Sequence, residues 1–361
     1  MSSLIVEVCE VQKVEKHPDP AVIKLKVVHV KGWQVVTRAD MKAGDRVVYI
    51  PRDSILTPEL AEKWGVTNYL KPLPKDQFGN RPPGGRVGVA KLKGLHSFGF
   101  ITPTENPEWP VGHDVAAHYG ITKYEPPPDV VAGHSSPTIH TFHKYTDIEN
   151  IRNFPDVLVP GEMVVFTEKI HGKNCRVGLV RDGDEFVWAA GSHGVRRKEF
   201  NAKGQKSEFW DALTDNMKAL LEEVSEGRTK NVVAFGEIYG SGVQDMVYGM
   251  SNGKREFRLF DIAVDGLYLD FDRKVRLCVK HNVPFVTILY RGEFSTDRVA
   301  QFTGGDTTMC DPKSAGKYGF REGIVIMPVV ERQDPRVGRV IMKSINPDYL
   351  MRKGEDATEF K

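Results

Sequence analysis

The stretch Phe166-Thr167-Glu168-Lys169-Ile170-His171-Gly172-Lys173-Asn174-Cys175-Arg176 sets a lysine at the end of an apolar run that begins at Met163. A second apolar run, Val177 to Val180, follows at once. A lysine in water titrates near about 10.4. Burial and neighbouring cations both disfavour its ammonium form, and a lysine so disposed can act as a covalent nucleophile. On local grounds alone, a solvated lysine in a β-hairpin is the stronger reading. The weight therefore falls on what lies downstream.

Four later apolar runs each carry a charged residue of their own: Glu237 in 232–239, Asp261 in 256–264, Glu322 in 321–327 and Lys343 in 339–343. A charge near a core is costly unless it pairs or serves a ligand. With Lys169, the set reads as one site lined by two lysines and several carboxylates. That composition suits a nucleotide phosphate neutralised by lysine, with a divalent ion held by carboxylates directly or through water. His134, His140 and His143 lie in an irregular stretch without a paired acid, and they are expected to be solvated.

These residues need strands to position them, and the chain supplies strands throughout. Apolar or alternating runs at 4–8, 24–30, 33–36 and 45–50 read as a small β module, with Val87 to Gly94 as a closing strand. Exposed Lys91 and Lys93, with Trp33, Phe98 and Phe100, would suit single strands or RNA; an ordinary structural barrel is an equal alternative. Glu125-Pro126-Pro127-Pro128-Asp129 reads as a stiff linker. The domains are therefore 1–125, a linker over 126–144, and 145–361. In the second domain, Ser207 to Val224 reads as one helix, with further helices near 270–282 and from Ser295, and a strand near 284–290.

The bulk numbers allow this plan. The 361 residues are 40% hydrophobic and carry 50 Lys+Arg against 48 Asp+Glu, which excludes a histone-like polycation. Cys9, Cys175, Cys278 and Cys310 form no CxxC pair, so no zinc ribbon or disulfide framework is expected. A reducing, cytoplasmic setting fits. No signal pattern, membrane-spanning run or internal repeat is visible.

In order, Lys169-Ile170-His171-Gly172, Phe235-Gly236-Glu237, Phe257 to Asp261, Glu322-Gly323-Ile324-Val325 and Ile341-Met342-Lys343 resemble nucleotidyltransferase motifs I, III, IIIa, IV and V of ATP-dependent RNA ligases. The KxHG form followed by Asn174 is closest to the nick-sealing branch, and the β-rich start resembles relatives with an N-terminal OB-fold. The resemblance implies an α+β fold: an OB-like β-barrel, then an adenylyltransferase domain of antiparallel sheets flanked by helices. It implies that Lys169 takes AMP from ATP, passes it to an RNA 5′-phosphate, and that a 3′-hydroxyl then displaces it. Glu168, Lys169, Ile170, Asn174, Arg197, Glu237, Phe260, Val325 and Lys343 would contact the nucleotide. Phe260 would stack on adenine opposite Val325, although its residue type alone favours a core aromatic. Glu237 and Glu322 would hold Mg2+ or Mn2+. The implied partner is RNA with 3′-OH and 5′-phosphate ends in a nicked duplex, with no membrane, and the chain a monomer.

The sequence departs from the family at three places. An arginine expected after motif I aligns with Ser192, with Arg196 or Arg197 as substitutes after a shift. Ile345 and Met327 stand where some relatives have lysines, which shifts the phosphate site toward Lys173, Arg152 or the N-terminal domain. DNA ligases and capping enzymes share the motifs, but an OB domain follows motif V in them, and only Ser344 to Lys361 follows it here. The alternative of another class is a non-catalytic RNA-binding protein, for which Val14 to Asp19 resembles tRNA-binding OB modules.

Overall fold

A computed structural model describes residues 3–76, 78–125 and 135–352. The chain divides into two compact units, Met1–Pro127 with Leu350–Lys361, and Pro128–Tyr349. Most of the expected linker lies outside the described residues, as does His134. Among the described residues, no helix is long and apolar enough to cross a membrane.

The first unit is the expected β-rich module. Glu7–Glu10, Arg46–Ile50 and Phe100–Pro103 form one antiparallel sheet, and Lys13–Lys16, Lys26–Val30 and Trp33–Thr37 form another. Their alternating residues bury Val6, Val8, Val48 and Ile50 beneath the helix Pro58–Lys63. Lys91 and Lys93 are exposed. Trp33 and Phe98, however, are buried, with ring centroids 5.4 Å apart. The expectation that they stack on bases is corrected: both point inward because their hairpins close on the core.

The second unit is built on two facing sheets. The five-stranded sheet runs in the order Glu149–Asn150, Met342–Ile345, Gly323–Pro328, Met163–Lys169, Ile288–Glu293. The six-stranded sheet runs Arg196–Arg197, Glu185–Ser192, Lys173–Asp182, Val232–Gly240, Arg255–Val264, Leu267–Tyr268. The alternation of side chains along a strand divides each sheet between two cores. Val165, Met327 and Ile341 of one sheet meet Val180, Ala189, Val233, Phe235 and Ala263 of the other, and these form the inner core. Outside, helix Asp215–Val224 packs Met217, Leu220 and Leu221 on Cys175, Val177 and Leu179. Helix Thr296–Thr303 contributes Val299 to a core with Phe166, Ile324 and Ile326.

Two elements differ from expectation. The long helix over 207–224 is split into a 3-10 turn, Glu208–Ala212, and the helix Asp215–Val224. Thr214 is extended and accepts the Met217 N–H, so it caps a new helix rather than continuing an old one. The strand expected near 284–290 starts later, at Ile288.

Candidate active site

Lys169 ends its strand on the face that Val165 and Thr167 share, toward the inner core. Its Nζ donates to Glu322 Oε1 at 2.5 Å. The chain then turns through His171 and Gly172 into the strand Lys173–Asp182, carrying Lys169 from one sheet to the edge of the other. Glycine is needed in that turn: a Cβ on Gly172 would lie 2.2 Å from the Ile238 carbonyl oxygen. Gly323, paired with Lys169, meets the same constraint, with the Ser344 carbonyl oxygen at 2.2 Å.

His171 is buried and held on several sides. Its backbone N–H donates to the Tyr248 hydroxyl at 2.7 Å, Nε2 lies 2.9 Å from Asp245 Oδ1, and Nδ1 lies 3.1 Å from the Tyr349 hydroxyl and 3.6 Å from Glu322 Oε2. Asp245, Tyr248 and Tyr349 were not found from the sequence. They sit in irregular segments with no periodicity to mark them, and only proximity in space links them to His171.

The carboxylates differ in state. Burial alone would raise Glu322, yet the Lys169 charge and then His171 hold its carboxyl below the usual value. Glu237 is pushed up to about 8. Loss of solvation is the largest cause; Lys169 opposes it, Glu322 adds to it, and the Gly172 N–H opposes it. Asn174 stands directly across from Glu237 in the ladder. Its Oδ1 is buried without a hydrogen-bond partner, and so is Glu322 Oε2. Unsatisfied buried oxygens beside a carboxylate of raised pKa fit a cation. Among the described residues no group of three or more His, Cys, Asp or Glu could hold a metal ion. The donors therefore suit a hydrated ion that keeps waters or phosphate oxygens in its shell.

Across the inner face, Thr167, Val325 and Lys343 stand in one row of the five-stranded sheet. Lys343 is buried and Val325 half-buried. Phe260 is the extra residue of a bulge: Phe235 pairs with Asp261, and Gly236 pairs with Leu259. A bulge re-aims a side chain, and Phe260 packs with Val325 on the inner core, edge-on to Tyr145 at 4.9 Å.

Other expected site residues lie elsewhere. The Glu168 side chain falls on the opposite strand face, where its carboxylate accepts Thr307 Oγ1 at 2.5 Å, Thr308 Oγ1 at 2.6 Å and the Thr308 N–H at 2.7 Å. Ile170 is buried. Arg197 pairs with Ala190 on the outer face, 5.7 Å from the Phe209 ring. Lys173 also faces outward and donates to Glu208 at 3.1 Å. Asp261 is drawn into a separate hub, bonded to Lys274 at 2.8 Å, Arg339 at 2.7 Å and the Tyr145 hydroxyl at 2.7 Å. His140 is exposed, but His143 is half-buried against Phe235, which corrects its reading as a solvated histidine.

The family model for RNA ligase matches residues 162–345, the span from the lysine strand to the Lys343 strand. The chain belongs to the RNA ligase family. Solved structures agree with that family fold. A Naegleria gruberi RNA ligase mutant with ATP and Mn has a TM-score of 0.71 at 24% identity, covering 97% of this chain and 98% of that chain. A mutant of the same ligase with AMP and Mn has a TM-score of 0.73 at 23% identity, with the same coverage. The ligase with PPi has a TM-score of 0.70 at 24% identity, again over 97% and 98%. At this identity the likeness establishes the fold, an RNA-ligase architecture across both units. No curated protein matches the chain.

Proposed function

We propose that this RNA ligase is ATP-dependent and works through a lysyl-AMP intermediate on Lys169. The observation that carries the reading is the buried Lys169–Glu322 pair beside Asn174 Oδ1 and Glu237. In the first step the Lys169 Nζ lone pair attacks the α-phosphorus, the bond to the pyrophosphate oxygen breaks, and Nζ loses its proton. Glu322 holds and orients the amine beforehand, through a charge-assisted bond. Lys343 lies in the inner-face row with Val325 and serves as a point charge toward the α-phosphate. Phe260 and Val325 line the base end. Glu237, Glu322 and Asn174 would hold Mg2+ or Mn2+, which when bound neutralises the charge that develops at the phosphate. AMP then passes to an RNA 5′-phosphate, and a 3′-hydroxyl displaces it to make the phosphodiester.

The solved Naegleria ligase complexes with ATP, AMP and Mn support ATP as the substrate and a divalent metal. The same reading has the chain act as a cytoplasmic monomer on 3′-OH/5′-phosphate ends in nicked duplexes, with a domain boundary between residues 125 and 145. Incubation with ATP and Mg2+ or Mn2+ should add the mass of one AMP. Sealing should require RNA on the 3′-hydroxyl side of a nick, because the 2′-hydroxyl is what a protein can read there. Equal sealing of an all-DNA nick would favour a DNA ligase. No AMP adduct would leave the RNA-binding alternative.

A further inference from the structure

Arg176 is a buried charge that the lysine site leaves unexplained. It is 2% exposed and stands two residues from Asn174 on the same strand, so both face the inner core. Phe235 lies across from it on one side and Gly191 on the other. Its guanidinium lies 4.4 Å over the Phe142 ring, Nε donates to the Ser192 carbonyl at 3.0 Å, and Nη1 donates to the Phe142 carbonyl at 2.5 Å. Both acceptors are neutral. Arg339, equally buried, has Asp261 and Glu331. No carboxylate among the described residues pairs with Arg176.

A guanidinium carries five N–H donors in a fixed fork. Holding it out of water without a counter-charge is costly, and burial alone draws its pKa down to about 10. Beside it His143 packs on Phe235 at 5.4 Å, and its Nε2 is buried without a hydrogen-bond partner. Two unsatisfied nitrogen groups therefore sit on the inner face, next to the Asn174–Glu237 pair. Their chemistry calls for an oxygen-rich ligand. Arg176 also reaches the backbone of Ser192, the position that aligns with the family's missing arginine.

We propose that Arg176 contacts the bound nucleotide, donating to ribose–phosphate oxygens of ATP from the strand adjoining the one that carries Ser192. This assignment rests on the ligase reading given above. It places the nucleotide-binding guanidinium on Arg176 rather than Arg196 or Arg197.

The test uses the full chain with Arg176→Met and Arg176→Lys, followed by melting with and without ATP and Mg2+, ATP affinity, and the rate of lysyl-AMP formation against ATP concentration. Both variants should melt near the wild type without nucleotide. Both should lose about tenfold or more in ATP affinity, since lysine cannot reproduce the fork. The loss should appear mainly in the ATP concentration needed for half-maximal adenylylation. If Arg176→Met does not fold, Arg176→Lys decides. A variant that melts lower but binds ATP as the wild type does would make Arg176 a brace for the two carbonyls and overturn the proposal. The ligase reading would survive that result, because it stands on wild-type adduct formation. A wild type that gains neither a melting shift nor an adduct with ATP would overturn both.

Discussion

Two buried charge clusters lie on the same inner faces, and they differ in whether they are closed. Around Asp261, one carboxylate meets Lys274, Arg339 and the Tyr145 hydroxyl, with Glu331 completing the balance at Arg339. Burial alone would raise Asp261, but Arg339 and then Lys274 hold it low. Around Lys169, the Glu322 Oε2 and Asn174 Oδ1 oxygens lack hydrogen-bond partners, and Glu237 is driven up to about 8. The closed cluster can only be structure. The open one costs folding energy that a ligand would return, as expected where stability is given up for function.

The widest separation between the clusters comes from Lys169→Met. Lysyl-AMP formation should vanish while the protein stays folded, and labelled AMP still bound to this variant would move the nucleophile elsewhere. Next come Glu237→Gln and Glu322→Gln, which keep shape and remove charge. Each should slow adenylylation by about 10²–10³-fold. Glu237→Gln should melt no lower than wild type, because the native carboxylate is already disfavoured. A folded Glu322→Gln with near-normal adenylylation would remove that residue from the metal shell.

Asp261→Asn should show the reverse pattern. It leaves Lys274 and Arg339 buried without their main partner, a change that costs about 3–5 kcal/mol. The melting point should fall, while the activity of the fraction still folded changes little. The acid limb checks the cause. The folded pKa of Asp261 lies below its ordinary 3.8, so its contribution is present above that value and is lost as pH falls through the folded value. Melts of wild type and Asp261→Asn should therefore differ most above pH 4 and converge in stronger acid. A gap that is constant down to the lowest pH would show that the aspartate charge is not what the hub needs.

The sequence made the motifs legible because each sits in a strong apolar strand: Lys169, Glu237, Glu322 and Lys343 all fall on the facing sheets as expected. It could not separate Asp261 from them, since its partners Lys274 and Arg339 lie on other elements. Nor could it show on which face a residue falls. Glu168 and Lys169 are neighbours in sequence, yet one anchors Thr307 and Thr308 and the other faces the cleft. A single register step or bulge decides such a case, and neither leaves a mark in composition. The burial of Trp33 and Phe98 escaped for the same reason.

The smallest expected effect tests that distinction most closely. Lys173 and Asn174 are adjacent and point to opposite faces. Lys173 is across from Ile238 on the outer side and pairs with Glu208, which also holds Arg255. A partly exposed pair of this kind is worth about 0.2–1 kcal/mol. Lys173→Ala should therefore leave adenylylation within roughly twofold of wild type, like other substitutions that touch no site group. Asn174→Ala removes the unsatisfied Oδ1 beside Glu237 and should slow adenylylation by about 10–100-fold, the range for partners of a metal shell. Measured side by side, the two substitutions turn one step of register into a difference in rate. If Lys173→Ala were the slower enzyme, the strand would carry its working face on the other side, and Arg176 would leave the cleft with Asn174.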